Sequence, residues 1–411
     1  MQKKIVPLFL ILVAFLRPLT AEEKPISLEE AVSTALRNNP EIIAAQKDLL
    51  ISQGKRLQMG ALSDPSVVFS NEGLNFGKKT DDQGETEISL GVEQYLEFPG
   101  KRHLKRTIGQ FGEEQASLEL DRVRMLVKAR VKKAYYKAVL FRRTLDSLEN
   151  ASSLLDQFIE NLLVKYKTGG ASYSDVLRAK VEKARIRNQI IAEQKEGATA
   201  RAELNLLLGR KGDESMLLTT DLAYLPLDKD LPMLKEEART TSPTLKIVAS
   251  KRRQSETGLK LAFKSRLPDF FLGLYSPSLR TNAWGFSVGI SVPLWGTKQK
   301  GEIMEAEAVN EIALISAEKE ERRIMARLET AYSGVRAAEE QVKIFEQQLL
   351  KDMEDEIKLG ISHYQYGKIE FFSLLDLYRT FAAVRLEHLK SLYLYLVSLA
   401  DLEIAGEEYA D

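Results

Sequence analysis

The 411-residue chain has no cysteine, which excludes disulfides, thiolate metal ligands, a cysteine nucleophile and a lipid-modified N-terminal cysteine. Histidine is nearly as scarce: His103, His363 and His388 stand far apart, without HExxH or paired-ligand spacing. Neither sign of charge is in excess, with Lys plus Arg and Asp plus Glu both 59, so the balance gives no footprint for nucleic acid. Long apolar runs are missing after the N-terminus. The apolar stretch from Ile5 to Leu16 is too short to span a bilayer. With Lys3 and Lys4 before it, and Pro18 and small residues to Ala21 behind it, residues 1–21 read as a secretory signal peptide. The mature chain is expected outside the cytoplasm, and if it crosses a membrane it does so in strands. No catalytic constellation, cofactor motif or metal-ligand cluster is evident, so the chain is not read as an enzyme.

At 44% hydrophobic and 29% charged, the chain has the composition of an ordered protein. Its most distinctive strand pattern lies at 283–296. Trp284, Phe286, Val288, Ile290, Val292 and Leu294 alternate with Ala283, Gly285, Ser287, Gly289 and Ser291, which makes one face greasy and the other small and polar. A lipid-facing barrel strand is written this way, and so is a half-buried strand of a soluble sheet. Ile88, Leu90 and Val92 repeat the pattern in an earlier extended run.

The rest is helical. Between 101 and 167 there is no proline, and Phe141, Leu145, Leu148, Leu155, Ile159, Leu162 and Tyr166 follow the 4,3 alternation of a coiled-coil seam. Thr168-Gly169-Gly170 ends this helix, Ser172 starts the next, and Gly209 ends that one. A second long helix is expected to run uninterrupted over 298–366, with Ile324, Leu328, Ala331, Val335, Ala338, Val342, Phe345 and Leu349 in the same alternation. The two halves echo one another. Asn38-Asn39-Pro40 returns as Thr241-Ser242-Pro243, a displacement of 203, and Ser89-Leu90-Gly91-Val92 returns as Ser287-Val288-Gly289-Ile290, a displacement of 198. The expected division is a signal peptide (1–21), a first repeat (22–209, strands about 65–75 and 85–97), a connector (210–232), a second repeat (233–406, strands about 268–276 and 283–295) and a short tail (407–411).

Four strands cannot close a barrel, and an open edge in lipid leaves unpaired N–H and C=O groups at several kcal/mol each. Closure would need several copies, eight strands from two or twelve from three. The small faces of Gly91, Gly285, Ser287, Gly289 and Ser291 favour an open lumen and therefore the larger ring.

The duplicated unit of helix, hairpin, long helix and helix, the strand ending Glu97-Phe98-Pro99-Gly100-Lys101-Arg102 and the turns Tyr166-x-x-Gly169 and Tyr364-x-x-Gly367 resemble the TolC family of outer-membrane efflux proteins. The strand ending is most similar to the family's heavy-metal efflux branch. The resemblance implies a mainly α fold with a membrane β-barrel, in which four strands per protomer complete a twelve-stranded trimeric barrel on a long α-helical coiled-coil tunnel. It implies a homotrimer in the outer membrane that reaches into the periplasm and works as a passive exit duct for metal cations or small toxic compounds. The partners would be a periplasmic adaptor (membrane fusion) protein, an inner-membrane pump of the RND type and outer-membrane lipid, with no nucleic acid and no cofactor. It implies adaptor-binding tips at Tyr166, Thr168, Gly169, Ser172, Tyr173, Tyr364, Gly367, Lys368 and Phe371. An aperture gate would be formed by Asp175, Tyr364 and Asp376, with Tyr364 donating to Asp175; Ser373 and Ile369 depart from the family's pattern there. The lipid face would be Ile88, Leu90, Val92, Trp284, Phe286, Val288, Ile290, Val292 and Leu294. The same fold serves as an outlet for protein secretion, and a soluble extracytoplasmic coiled-coil scaffold is the reading from another class.

Overall fold

The computed structural model describes residues 25–72, 87–277 and 283–407, so the expected signal peptide, the polar hairpin loop near Lys78 and the last four residues lie outside it. The described chain opens with β1 (Pro25–Ile26) and α1 (Leu28–Asn38). Ser27 and Glu30 close a reciprocal capping box on α1, with Glu30 N–H on Ser27 Oγ at 3.2 Å and Ser27 N–H on Glu30 Oε2 at 2.8 Å. Asn39 caps α2 (Pro40–Gly60), whose first residue is the proline that needs no N–H there. A hairpin of β2 (Ser66–Glu72) and β3 (Glu87–Leu96) follows, then α3 (Lys101–Lys167), which at 1.5 Å per residue is roughly 100 Å long. After α4 (Tyr173–Leu207), β4 (Leu217–Leu218) and α5 (Leu231–Thr241) come α6 (Pro243–Lys264), the hairpin β5 (Asp269–Ser276) and β6 (Gly285–Ser291), α7 (Thr297–Ile344), α8 (Leu350–Gln365) and α9 (Phe371–Glu403).

The second long helix is not uninterrupted: a π-helical turn, Phe345–Leu349, separates α7 from α8. The physical reason is length. The left-handed glycines that bracket the first long helix are Gly100 and Gly169, and those that bracket the second are Gly296 and Gly367, two residues farther apart. A π turn takes up one of these two residues without rotating the apolar stripe off its partner.

The four strands form one antiparallel sheet in the order β2-β3-β5-β6, with β2 and β6 as open edges. The helices that continue from them are neighbours in the same order, α3 packing on α2 and α6, and α6 also on α7. Two cores hold the helices. One lies at the waist around Tyr135, Val131, Leu204, Val335 and Tyr395, and the other at the far end around Leu155, Leu162, Val176 and Leu374.

The connector is tied to the waist by devices with no sequence period. β1 and β4 pair in parallel, Ile26 beside Leu218. The fully buried Tyr135 donates to Ile26 C=O at 2.9 Å and accepts from Thr220 N–H at 2.9 Å. Tyr135→Phe leaves Thr220 N–H without its acceptor, while Ile26 C=O keeps Thr219 N–H at 3.1 Å and the ring stays in place. It is expected to lower stability by about 1–3 kcal/mol, read as a shift of the denaturation midpoint of detergent-solubilised protein.

Candidate functional site

The sheet presents two unlike faces. Facing pairs such as Val67 with Val92, Phe69 with Leu90, Leu274 with Phe286 and Leu272 with Val288 place one apolar row across all four strands. None of it is covered: Val67 is 70% exposed and Phe286 81%. An exposed patch of this kind in a folded protein marks a surface meant for lipid or a partner. Ile88, Leu90, Val92, Phe286, Val288 and Ile290 all lie on it, whereas Trp284, Val292 and Leu294 flank β6, which ends at Ser291. The opposite face is not as small as β6 alone suggests. The ring of Phe271 lies so close over Gly289, and that of Tyr275 over Gly285, that a Cβ at either glycine would collide with it. The glycines are seats for aromatic rings of the neighbouring strand, and the expectation of a uniformly small inner face is corrected accordingly.

Where β3 turns into α3, polar side chains meet at one aspartate. Asp269, the first residue of β5, accepts from Phe98 N–H at 2.7 Å, Tyr95 Oη at 2.7 Å and Lys101 Nζ at 2.9 Å. Lys101 is buried and also donates to Leu267 C=O at 3.0 Å. The junction written Glu97-Phe98-Pro99-Gly100-Lys101 is therefore clamped by the opening residues of the other hairpin.

At the waist, Glu339 on α7 is buried and accepts from Tyr224 Oη at 2.6 Å and Arg336 Nη1 at 2.6 Å, with Lys343 Nζ 3.2 Å away. Burial works against the carboxylate, but these donors outweigh it and hold its pKa below the ordinary range. The hydrogen bond to Glu339, helped by burial, pushes Tyr224 up to about 12. Glu339 contributes stability above the ordinary glutamate pKa and loses it as pH falls through its lowered value, while Tyr224 contributes up to about pH 10 and loses it as pH rises towards 12. In thermal denaturation across acid pH, Glu339→Gln is expected to show a shallower loss of midpoint below about pH 4.5 than the parent.

The far end carries two turns of one design. After α3, Gly169 (φ 79°) lets Gly170 N–H reach Lys165 C=O at 2.8 Å; after α8, Gly367 (φ 71°) lets Lys368 N–H reach His363 C=O at 2.8 Å. Open space surrounds the Cα of both glycines. Tyr166 pairs with Tyr173 across the first turn (centroids 5.6 Å apart) and Tyr364 with Phe371 across the second (5.9 Å). Tyr166, Thr168, Gly169, Ser172, Tyr173, Gly367 and Lys368 are exposed. Phe371 is not: it is buried against Phe158 and supports its turn from beneath, which corrects its reading as a surface contact.

The predicted bond from Tyr364 to Asp175 is not made. The Asp175 carboxylate closes the capping box of α4, accepting from Ser172 N–H at 3.3 Å and also from Ser172 Oγ at 2.9 Å, while Lys165 Nζ sits 4.1 Å from the centre of the Tyr364 ring. Burial, and then the nearby charge of Asp175, push the Tyr364 pKa up. Asp376 is exposed on α9. The polar link between the two helical hairpins at this end lies deeper and was not anticipated: the buried Glu182 on α4 accepts from Arg379 Nε at 2.9 Å and Nη2 at 2.5 Å on α9. An acidic and a basic residue on separate amphipathic helices carry no local signal of their pairing.

Among the described residues no group of three or more His, Cys, Asp or Glu is placed to hold a metal ion, and no helix is long and apolar enough to cross a membrane. Residues 31–210 and 234–405 match the family described as outer membrane efflux protein. The chain is 21% identical over 375 residues to the cobalt-zinc-cadmium resistance protein CzcC of Cupriavidus metallidurans, covering 89% of this chain and 86% of that protein. Its fold is similar to that of crystallised CusC (TM-score 0.76, 18% identity, 92% of this chain and 91% of that one). It is equally similar to the CmeC outer membrane channel of Campylobacter jejuni (TM-score 0.76, 14% identity, 92% and 85% covered).

Proposed function

The chain belongs to the outer membrane efflux protein family, and from that premise we propose that three copies close one duct, a twelve-stranded barrel in the outer membrane continued by a helical tunnel into the periplasm. The observation that carries this reading is the shared order of two layers: β2-β3-β5-β6 and α2-α3-α6-α7 both end open on the same two sides. A second copy can continue strands and helices at once, and a closed ring leaves no edge unpaired in lipid. The exposed apolar row then faces lipid, and the face bearing Ser287, Gly289, Phe271 and Tyr275 lines the lumen.

In this reading the chain is two tandem repeats joined by the connector at 210–232, and the two glycine turns are the periplasmic tips that meet an adaptor's helical hairpins. Tyr166, Thr168, Gly169, Ser172, Tyr173, Tyr364, Gly367 and Lys368 supply that surface. Asp175 and Asp376, each repeated three times around the axis, make the aperture favour cations. The name of the relative from Cupriavidus metallidurans points to divalent transition-metal cations as cargo; an inner-membrane pump of the RND type is the partner this reading assigns to drive them. Mass measurement in detergent is expected to give three copies, and carbonate washing to leave the protein with the membrane. A monomer released by carbonate would overturn the reading. For the aperture, Asp376→Ala is expected to weaken the cation preference of single channels in planar bilayers, and an unchanged preference would remove the proposed carboxylate ring.

A further inference from the structure

The chain contains, between its own halves, the contact that its two open edges lack. β3 pairs with β5 so that facing residue numbers total 366, as in Leu90 with Ser276 and Leu96 with Phe270. The two hairpins share one register: Ser66 faces Glu93 and Asp269 faces Ser291, and these positions correspond at displacements of 203 and 198. Carrying the β3 side forward by 198 and the β5 side back by 203 converts the β3–β5 ladder into a β6–β2 ladder whose facing numbers total 361. Within one chain β6 and β2 are opposite edges of the sheet, so the partner strand belongs to another copy.

Resting on the multi-copy reading above, we propose that β6 of each protomer pairs antiparallel with β2 of the next in this register, Ser291 opposite Ser70 of the next copy and Ile290 opposite its Asn71. Two observations favour it over its neighbours. A slip of one residue would turn every side chain of β2 to the wrong face, sending Val67 and Phe69 towards the lumen and Ser66 and Ser70 towards lipid. In the proposed register Val292 and Leu294 lie level with Phe69 and Val67 of the next copy, which carries the apolar row across the joint. A slip of two residues keeps the faces but moves β2 about 7 Å along β6. α2 would travel with it, since residues 61–65 alone connect the two elements. α2 would then leave the level that α6, its counterpart 203 residues on, keeps beside α3 in the contact between the two halves.

The cysteine-free chain allows a direct test. Facing residues of adjacent strands have Cα atoms about 4.5–5.5 Å apart, within disulfide reach, whereas residues offset by two lie beyond it. Ser70→Cys with Ser291→Cys, and separately Asn71→Cys with Ile290→Cys, are expected to give a covalent three-chain species on oxidation. The offset pair Val68→Cys with Ser291→Cys is expected to give none. The two pairs sit on opposite faces, so a folding defect in one leaves the other to decide. If the offset pair cross-links while both register pairs fail, in protein that keeps its three-copy mass, the register is wrong and the trimer stands. A protein that is monomeric in detergent overturns both.

Discussion

Asp269→Ala is expected to remove most of the assembled protein from the outer membrane. The substitution takes away the acceptor of Phe98 N–H and Tyr95 Oη and leaves the Lys101 ammonium, whose side chain is only 9% exposed, with the Leu267 carbonyl as its remaining partner. Removing one member of a buried ion pair typically costs about 3–5 kcal/mol, because the other charge stays desolvated. That cost falls at the junction where β3 becomes α3, so it loosens the alignment of sheet and helix rather than a peripheral loop. The check is the thermal midpoint of the purified protein and its amount in the outer-membrane fraction. Asp269→Asn keeps one acceptor oxygen for Phe98 N–H but puts an amide NH2 in place of the oxygen that Tyr95 Oη uses, and should fall in between. Combining Asp269→Ala with Lys101→Met removes both charges and should recover more than half of the loss, since an apolar pair of similar volume carries no stranded ion. A double variant as unstable as the single one would show that the hydrogen bonds of Asp269, and not its charge pairing, hold the joint.

The second large effect is expected at the far end. Arg379→Ala strands Glu182, which is 8% exposed on its side chain, while Arg379 itself is 38% exposed and partly screened. The cost is therefore set below that of a fully buried pair, at about 2–3 kcal/mol. α4 and α9 touch each other sparingly, so this ion pair is the direct polar link between those two helices behind the tips, beside the apolar core that α3 shares with α9. If the tips form the aperture, losing that link shifts the balance of closed and open tips by a factor of up to roughly 30 to 160. The measurement is single-channel conductance in planar bilayers, where the variant should spend more time in larger-conductance states. Glu182→Gln frees the exposed Arg379 to water and should give a smaller change in the same direction. Conductance like that of the parent in both variants would assign the pair to stability alone.

Much of the helical frame was legible because its causes are local. Ser27 with Glu30, Asn39 before Pro40 and Gly169 after Lys167 start and stop helices through backbone groups a few residues away. The β6 row was legible because side chains alternate at a period of two whatever they face. The site was legible only where backbone geometry makes it. The two glycine turns were found, but the partner of Asp175 was not, because a capping carboxylate three residues from Ser172 competes with any bond across the turn and wins locally. Phe371 was misjudged for a related reason: its counterpart Tyr173 is exposed, and only packing against Phe158 separates their environments.

By itself the sequence determined the periods, the breaks and the duplication, and through them the two strand hairpins and the long helices, because each depends on sterics and hydrogen bonds within a turn or two of chain. Tertiary structure alone decided which charges leave water. Asp269 with Lys101, Glu182 with Arg379 and Glu339 with Tyr224 are 168, 197 and 115 residues apart in sequence. In a chain with 118 charged side chains these look like all the others. Desolvation separates them, and it is set by which helix lies against which to within an ångström or two.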